Sequence, residues 1–268
     1  MHCITLNIWY GYRDRALRLQ RIIDCLTRLN PDVVLLQEVW VNEYEESVAE
    51  YIATMLNMSF AYCANSICND IKYGNAILSK YAIVDSCCYQ LPYGPEAVST
   101  DRSDSSTSDD GDCSLLRADV LYRDSTIVSV YSTHLSWRPE ATHVRSRQIS
   151  AIAKLTKLGE RYTILGGDFN MTHKSHEYKK VLGFGFTDAW QTYNKRGNKK
   201  HRITWDNRNI YAVATNEPDA CLDYIFIKGF EPLLSNLVED DFTQPMSDHR
   251  AISVTVAIYD QSPIMSSS

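Results

Sequence analysis

The stretch from Tyr162 to Asn170, Tyr-Thr-Ile-Leu-Gly-Gly-Asp-Phe-Asn, constrains the fold more than any other. Its apolar start reads as a buried strand, and its paired glycines mark where that strand opens into a turn. Side chains alternate along a strand, so Asp168 and Asn170 fall on one side of the chain. Gly166 and Gly167 lack a Cβ, which lets the backbone turn and lets a bulky group come close. A carboxylate that takes a proton beside an amide that donates to an anion suits phosphoester hydrolysis. The same residue types also make ordinary turns, so the reading needs support from elsewhere.

Other apolar runs end the same way. Residues 3–9 predict a strand ending near Asn7. Leu19, Ile22, Ile23, Leu26 and Leu29 then recur at helical spacing, with arginines on the opposite face, until Asn30-Pro31. Residues 33–36 predict a buried strand running into Gln37-Glu38, and a carboxylate there calls for a partner. Val48, Tyr51, Ile52, Met55 and Leu56 mark a second amphipathic helix. Strands are expected at 74–79 and on to Asp85, and at 115–122 and 126–132 as a hairpin leading into His134. A helix follows over 141–158, and a shorter one over 175–182. The segment 187–190, the basic stretch 195–202 and strands at 203–206, 221–228 and 252–258 complete the pattern. Thus Asn7, Glu38, His134, Asp168, Asn170, Asp223, Asp248 and His249 all close apolar runs. Binding residues of α/β proteins gather at one edge of the sheet in this way.

Strands alternating with a few helices in each half, and no linker, predict one layered α/β domain over residues 1–260. The Ser/Asp-rich segment 99–112 reads as an exposed, flexible loop, and the Ser-rich tail 261–268 as disordered. No internal repeat is visible. With 268 residues, 44% hydrophobic and 22% charged, the composition is that of an ordinary globular chain. The net charge of −6 argues against coating long nucleic acid, yet allows a small anionic substrate, because a bound metal inverts the local charge. Eight cysteines, at 3, 25, 63, 68, 87, 88, 113 and 221, form no CxxC pair. Most read as reduced core residues, while the group at 63, 68, 87, 88 and 113 leaves room for one bridge. Residues 1–9 show no leader pattern, and no apolar run approaches a membrane span. These features lead us to expect a monomer in the cytoplasm or another reducing compartment.

Six motifs, in order, carry a family resemblance. They are Leu36-Gln-Glu38-Val, Gly74-Asn75-Ala-Ile-Leu-Ser-Lys80, Ser132-Thr-His134-Leu, Gly166-Gly-Asp168-Phe-Asn170, Leu222-Asp223-Tyr-Ile-Phe and Ser247-Asp248-His249. Together they resemble the endonuclease/exonuclease/phosphatase superfamily over about residues 3 to 258. The branch stays unassigned, with similarity to 5′-tyrosyl-DNA phosphodiesterases and to neutral and bacterial sphingomyelinases. The resemblance implies a DNase I-like fold, a four-layer α/β sandwich of two packed mixed β-sheets flanked by helices. It further implies a metal-dependent hydrolase using Mg²⁺ or Mn²⁺, with Glu38, Asn7 and Asp248 as the metal group. Asp168 resembles the residue that orients or deprotonates water, Asn170 and His134 those that hold the phosphate, and Asp223–His249 the carboxylate–imidazole pair. Whether Asp168 or His249 is the general base stays open. Asn75 is carried over as a phosphate-side residue. Trp205, in Ile203-Thr-Trp-Asp206, either stacks on substrate or packs in the core.

The expected reaction is in-line attack of water on a phosphodiester or phosphomonoester. The first substrate class is a nucleic-acid end, DNA or RNA, or a nucleotide-like molecule. The alternative is a phospholipid, as for a sphingomyelinase. The chain shows neither a long basic insertion for gripping DNA nor a long apolar hairpin for entering a bilayer. A rival from another class is a non-catalytic binding module on the same fold. All eight candidate positions being filled speaks against it.

Overall fold

The computed structural model describes residues 1–10, 13–41, 46–68, 71–92, 113–156, 161–195 and 202–259. The segment 99–112 and the tail 261–268 lie outside the described residues, as does most of the basic stretch after Lys195. Two six-stranded sheets pack face to face with helices outside. In chain order come β1 (His2–Asn7), α1 (Arg15–Leu29), β2 (Val33–Trp40), α2 (Val48–Leu56), β3 (Ser59–Cys68), β4 (Ile71–Ser79), β5 (Ile83–Gln90), β6 (Ser114–Leu121) and β7 (Ile127–His134). Next are α3 (Thr142–Leu155), β8 (Thr163–Asp168), α4 (His176–Gly183), β9 (Thr187–Asp188), α5 (Ala189–Asn194), β10 (Asp223–Lys228), β11 (Phe230–Leu237) and β12 (Ile252–Ile258). One sheet runs β11-β12-β1-β2-β4-β3 and the other β5-β6-β7-β8-β10-β9. Each holds one parallel pair, β1–β2 and β7–β8, and is otherwise antiparallel. Each parallel pair is joined by one helix, α1 or α3, because parallel neighbours need a crossover.

Three apolar layers result from this arrangement. Leu35, Ile77, Val130, Ile164 and Ile225 pack between the sheets. Ile4, Leu36 and Leu78 face the other way, onto Ile22, Leu26 and Ile52 of α1 and α2. Leu165, Tyr224 and Phe226 meet Ile149, Ile152 and Tyr178 of α3 and α4. Local chemistry sets the helix ends. Ser47 and Ser175 cap α2 and α4 through their hydroxyls, and Asn30 ends α1 in the left-handed region before Pro31.

Sequence patterns missed β3 and β11, which are edge strands without a clean apolar alternation. Two expectations are corrected. The arginines of α1 do not all face outward: Arg18 is fully buried. Nor do residues 203–206 form the expected strand: Trp205 alone makes isolated bridges, to Ala220 and His249. Just before them, the basic stretch ends in an ion pair. Arg202 makes a two-pronged bond to Asp188 (2.9 and 2.8 Å), and its guanidinium lies 4.5 Å from the Tyr224 ring centre. The room left for a bridge is taken by Cys63–Cys88, linking β3 to β5. Cys3, Cys25, Cys113 and Cys221 are free and buried, while Cys87 is free and exposed.

The parallel pairs bring the C-terminal ends of β1, β2, β7 and β8 to one edge, where antiparallel β10 begins. Thr133 lies opposite Gly167, and His134 opposite Asp168. Gly167 has φ +151°, and a Cβ there would overlap the Thr133 carbonyl. Gly167→Ala is therefore expected to destabilise the fold by roughly 3 kcal/mol or more. Equilibrium urea unfolding measures this, and an unchanged midpoint would contradict the close approach.

Candidate active site

Asn7, Glu38, His134, Asp168 and Asn170 reach the edge at or near the ends of β1, β2, β7 and β8, whereas Asp223 opens β10 and Asp248 and His249 lie in the turn before β12. Asn7 is the last residue of β1 and Glu38 follows Gln37 in β2, where the pairing with β4 shifts between Leu36 and Val39. At that irregularity Glu38 takes φ +54°. This is an unfavourable backbone for glutamate, and such strain gathers at functional sites. The bulge re-aims the carboxylate toward the strand ends. Asn170 is likewise left-handed (φ +48°), and its N–H donates to Asp168 Oδ1 at 3.0 Å.

The structure brings eight of the predicted residues together. Asn7 Nδ2 donates to Glu38 Oε1 at 2.9 Å and to Asp168 Oδ2 at 3.1 Å. His134 lies between the same two acids, with Nε2 3.5 Å from Asp168 Oδ2 and Nδ1 3.9 Å from Glu38 Oε1. His249 Nε2 approaches Asp168 Oδ2 at 3.6 Å, while its Nδ1 bonds Asp223 Oδ2 at 2.8 Å. Asp248 joins electrostatically, the charges of Glu38 and His249 both acting on its carboxyl. Asn170 lines the same edge, its Nδ2 donating to the Leu135 carbonyl at 3.0 Å and leaving one amide hydrogen unspent. Asn75 stands further back between the sheets. Its Nδ2 donates to the Ser114 carbonyl and hydroxyl, and Thr133 Oγ1 donates to the same carbonyl. Trp205 is 8% exposed and meets the His249 ring in a T-shaped contact, with centroids 5.1 Å apart. It thus packs against the imidazole ring. Its buried Nε1 has no protein partner.

Several contributors were not read from the sequence. Ser247 Oγ donates to the Asn7 carbonyl at 2.6 Å, lies 3.0 Å from Asp248 Oδ1 and accepts from the His249 N–H. Thr204 Oγ1 accepts from the N–H groups of Leu222 and Asp223. The Tyr10 N–H donates to Glu38 Oε2. Arg18 gives its guanidinium to the carbonyls of Ile8, Trp9, Tyr10, Arg13 and Met246. It thus ties the loop after β1 to the turn before His249. Only Ser247 carried a signal, as part of Ser-Asp-His. The others act through backbone and side-chain partners to which no sequence pattern links them.

The electrostatics arise from burial. Burial alone would lower the His249 imidazole. The charges of Asp223 and Asp168 and the bond to Asp223 outweigh it and hold the group well above its ordinary value. Burial pushes the Asp223 carboxyl up, against the pull of His249. Burial likewise pushes Asp248 up to about 7, with Glu38 adding to it and His249 opposing. Ligand atoms of Asp168, Asp223 and His249 lie within 4.8 Å of one another, a spacing open to a metal. Asp223 and His249 nevertheless satisfy each other, so the hard oxygens of Glu38 and Asp248, with Asn7, suit Mg²⁺ or Mn²⁺ better. Asn7 presents its amide nitrogen to Glu38 and Asp168, so it would have to turn its oxygen inward to ligate a cation there.

A sequence profile described as the Endonuclease/Exonuclease/phosphatase family matches residues 4–249. Among curated proteins, the chain is 28% identical to a probable CCR4-Not complex 3′-5′-exoribonuclease subunit Ccr4 of Enterocytozoon bieneusi, over 44% of this chain and 28% of that one. It is 22% identical to an inositol phosphosphingolipids phospholipase C of Schizosaccharomyces pombe, over 93% of this chain and 59% of that one. The chain therefore spans less than two thirds of either relative. Among solved structures, D. rerio TDP2 complexed with a single-strand DNA product superposes with a TM-score of 0.73 at 20% identity, over 96% of this chain and 98% of that one. That likeness speaks for the fold.

The raised Asp248 carboxyl has a measurable consequence. Were Asp248 to ligate a cation, it would do so as the carboxylate, so a proton would compete with the cation below about pH 7. Mg²⁺ affinity, followed by calorimetry, is expected to weaken as pH falls, approaching roughly tenfold per unit well below that value. Asp248→Asn should flatten the profile. A wild-type affinity flat between pH 5 and 8 would remove Asp248 from the metal group.

Proposed function

Since the chain belongs to the endonuclease/exonuclease/phosphatase family, whose members are hydrolases of phosphoester bonds and generally use divalent metals, we propose that it is a Mg²⁺- or Mn²⁺-dependent phosphodiesterase. The substrate we favour is a phosphodiester at a nucleic-acid end or in a nucleotide-like molecule. The observation that carries this reading is the approach of His249 Nε2 and His134 Nε2, at 3.6 and 3.5 Å, to the one oxygen Asp168 Oδ2. A proton acceptor and two imidazole donors therefore face one small space, as a phosphorus centre changing its bonds requires.

In this reading Asp168 orients the attacking water and takes its proton. Asn170 donates to a phosphoryl oxygen through its remaining amide hydrogen. His249 is held protonated by Asp223, and together with His134 it offers N–H groups to the charge that builds on the phosphoryl oxygens. Asp223 fixes the tautomer and direction of that ring. A cation held by Glu38 and Asp248, with Asn7, would supply charge neutralisation at phosphorus and at the leaving oxygen. The TDP2 complex with DNA and the exoribonuclease relative support a nucleic-acid substrate. The phospholipase C relative, matched over 93% of this chain, supports a phospholipid as the second reading.

Purified protein with Mg²⁺ is expected to hydrolyse bis-p-nitrophenyl phosphate and to stop on addition of EDTA. Glu38→Gln and His249→Ala should each lower kcat by about 100-fold or more while circular dichroism stays unchanged. Full turnover in either variant would overturn these roles. A panel of 5′-tyrosyl DNA, single-stranded RNA and sphingomyelin then decides between the two substrate classes.

A further inference from the structure

The loop that leaves β7 is fastened far more tightly than its exposure requires. The Leu135 N–H donates to the Asp168 carbonyl, and the Leu135 carbonyl accepts from Asn170 Nδ2. The Ser136 N–H donates to Gln148 Oε1 at 3.2 Å. Arg145 clamps residues 136–139, with Nη1 on the carbonyls of Ser136 (2.9 Å) and Arg138 (2.6 Å) and Nη2 on that of Pro139 (3.1 Å). Arg145 is itself 4% exposed and faces buried Glu177 across 3.5 Å. A buried ion pair on α3 and α4 thus fixes the backbone on both sides of Trp137. Yet Trp137 is 50% exposed, and the Arg138 guanidinium lies 5.2 Å from its ring centre.

A single exposed aromatic residue is ordinary on a protein surface. Here it sits three residues after His134, within about 10 Å of chain. Its backbone is pinned on one side to Asp168 and Asn170, residues of the reaction itself. Rigid backbone beneath a solvent-facing ring pre-pays the ordering that binding otherwise costs. A ring with a guanidinium beside it offers a stacking face and a positive charge, the pairing that holds single-stranded nucleic acid. The neighbours Pro139 and Glu140 are exposed and do not extend the ring into an apolar band of the kind a bilayer would need.

The geometry points to Trp137 and Arg138 as a specificity platform that stacks the nucleobase next to the scissile phosphate of a single-stranded end. This rests on the nucleic-acid reading of the pocket. Binding therefore tests it separately from turnover, on the full chain in Mg²⁺ with a labelled, hydrolysis-resistant phosphorothioate oligothymidylate and a matched oligonucleotide lacking bases. Trp137→Ala is expected to weaken binding of the oligothymidylate by about 5- to 150-fold, the worth of one stacked base. Trp137→Phe should recover most of it, the baseless oligonucleotide should bind all three proteins alike, and the thermal midpoint should not move. Equal losses on both oligonucleotides, no loss on either, or no binding by the wild type would overturn the platform. So would a Trp137→Ala protein that keeps its oligonucleotide affinity and loses binding to sphingomyelin–phosphatidylcholine vesicles. Trp137-dependent binding without any hydrolysis would sustain the platform and reject the nuclease reading. Hydrolysis indifferent to Trp137 would do the reverse.

Discussion

One carboxylate oxygen, Oδ2 of Asp168, is reached from both halves of the molecule. Asn7 Nδ2 comes to it from β1, His134 Nε2 from β7, and His249 Nε2 from the turn before β12. A buried carboxylate of this kind is costly unless it is paired and hydrogen-bonded. The site packs Glu38, Asp223 and Asp248 around it, so repulsion would splay the strand ends without compensation. Compensation is built in as His249, held protonated, and as Arg18 behind Glu38 and Asp248. Polar ties between the sheets hold the geometry in place. Gln37 Nε2 donates to Ser132 Oγ at 3.0 Å, that hydroxyl donates to the Leu36 carbonyl, and Asn75 reaches across to Ser114. A dry apolar interface would give more stability at this edge but no means of fixing its register.

Much of this was legible in the residues. Strand after strand ends on a polar group because the parallel pairs must stop at the same edge, and that pattern is local in sequence. Alternation and helical spacing found β1, β2, β7, β8 and β12 and helices α1 to α4. The edge strands escaped because their faces are half solvated, so β3 and β11 lack the apolar repeat that marks a strand. Arg18 escaped for a different reason. An arginine among arginines on a polar helix face carries no sign that its guanidinium is aimed inward at five carbonyls. Arg202 escaped likewise, since Asp188 meets it only after the chain has folded back. The six ordered motifs gave the family. The irregularity that points Glu38 inward, and the amide nitrogen that Asn7 presents, needed coordinates.

The link Cys63–Cys88 belongs to the same theme. Cys63 stands opposite Asn75 in the β3–β4 register, and its sulfur lies 3.8 Å from Ser114 Oγ. The bridge therefore ties the two sheets beside Asn75 and Ser114, one step behind Thr133 and His134. It stands alongside four buried free thiols, so the chain is not one of wholly reduced cysteines.

β1 and β12 lie side by side. β1 runs antiparallel to β12, and the amino group of Met1 donates to the Val256 carbonyl. During synthesis β1 must therefore wait, with one edge unpaired, until the 252–258 segment has left the ribosome. His249 arrives just ahead of that segment. A chain lacking residues 249–258 would thus carry both an unsatisfied strand edge and an incomplete site, so that foldedness and chemical competence hinge on the same segment.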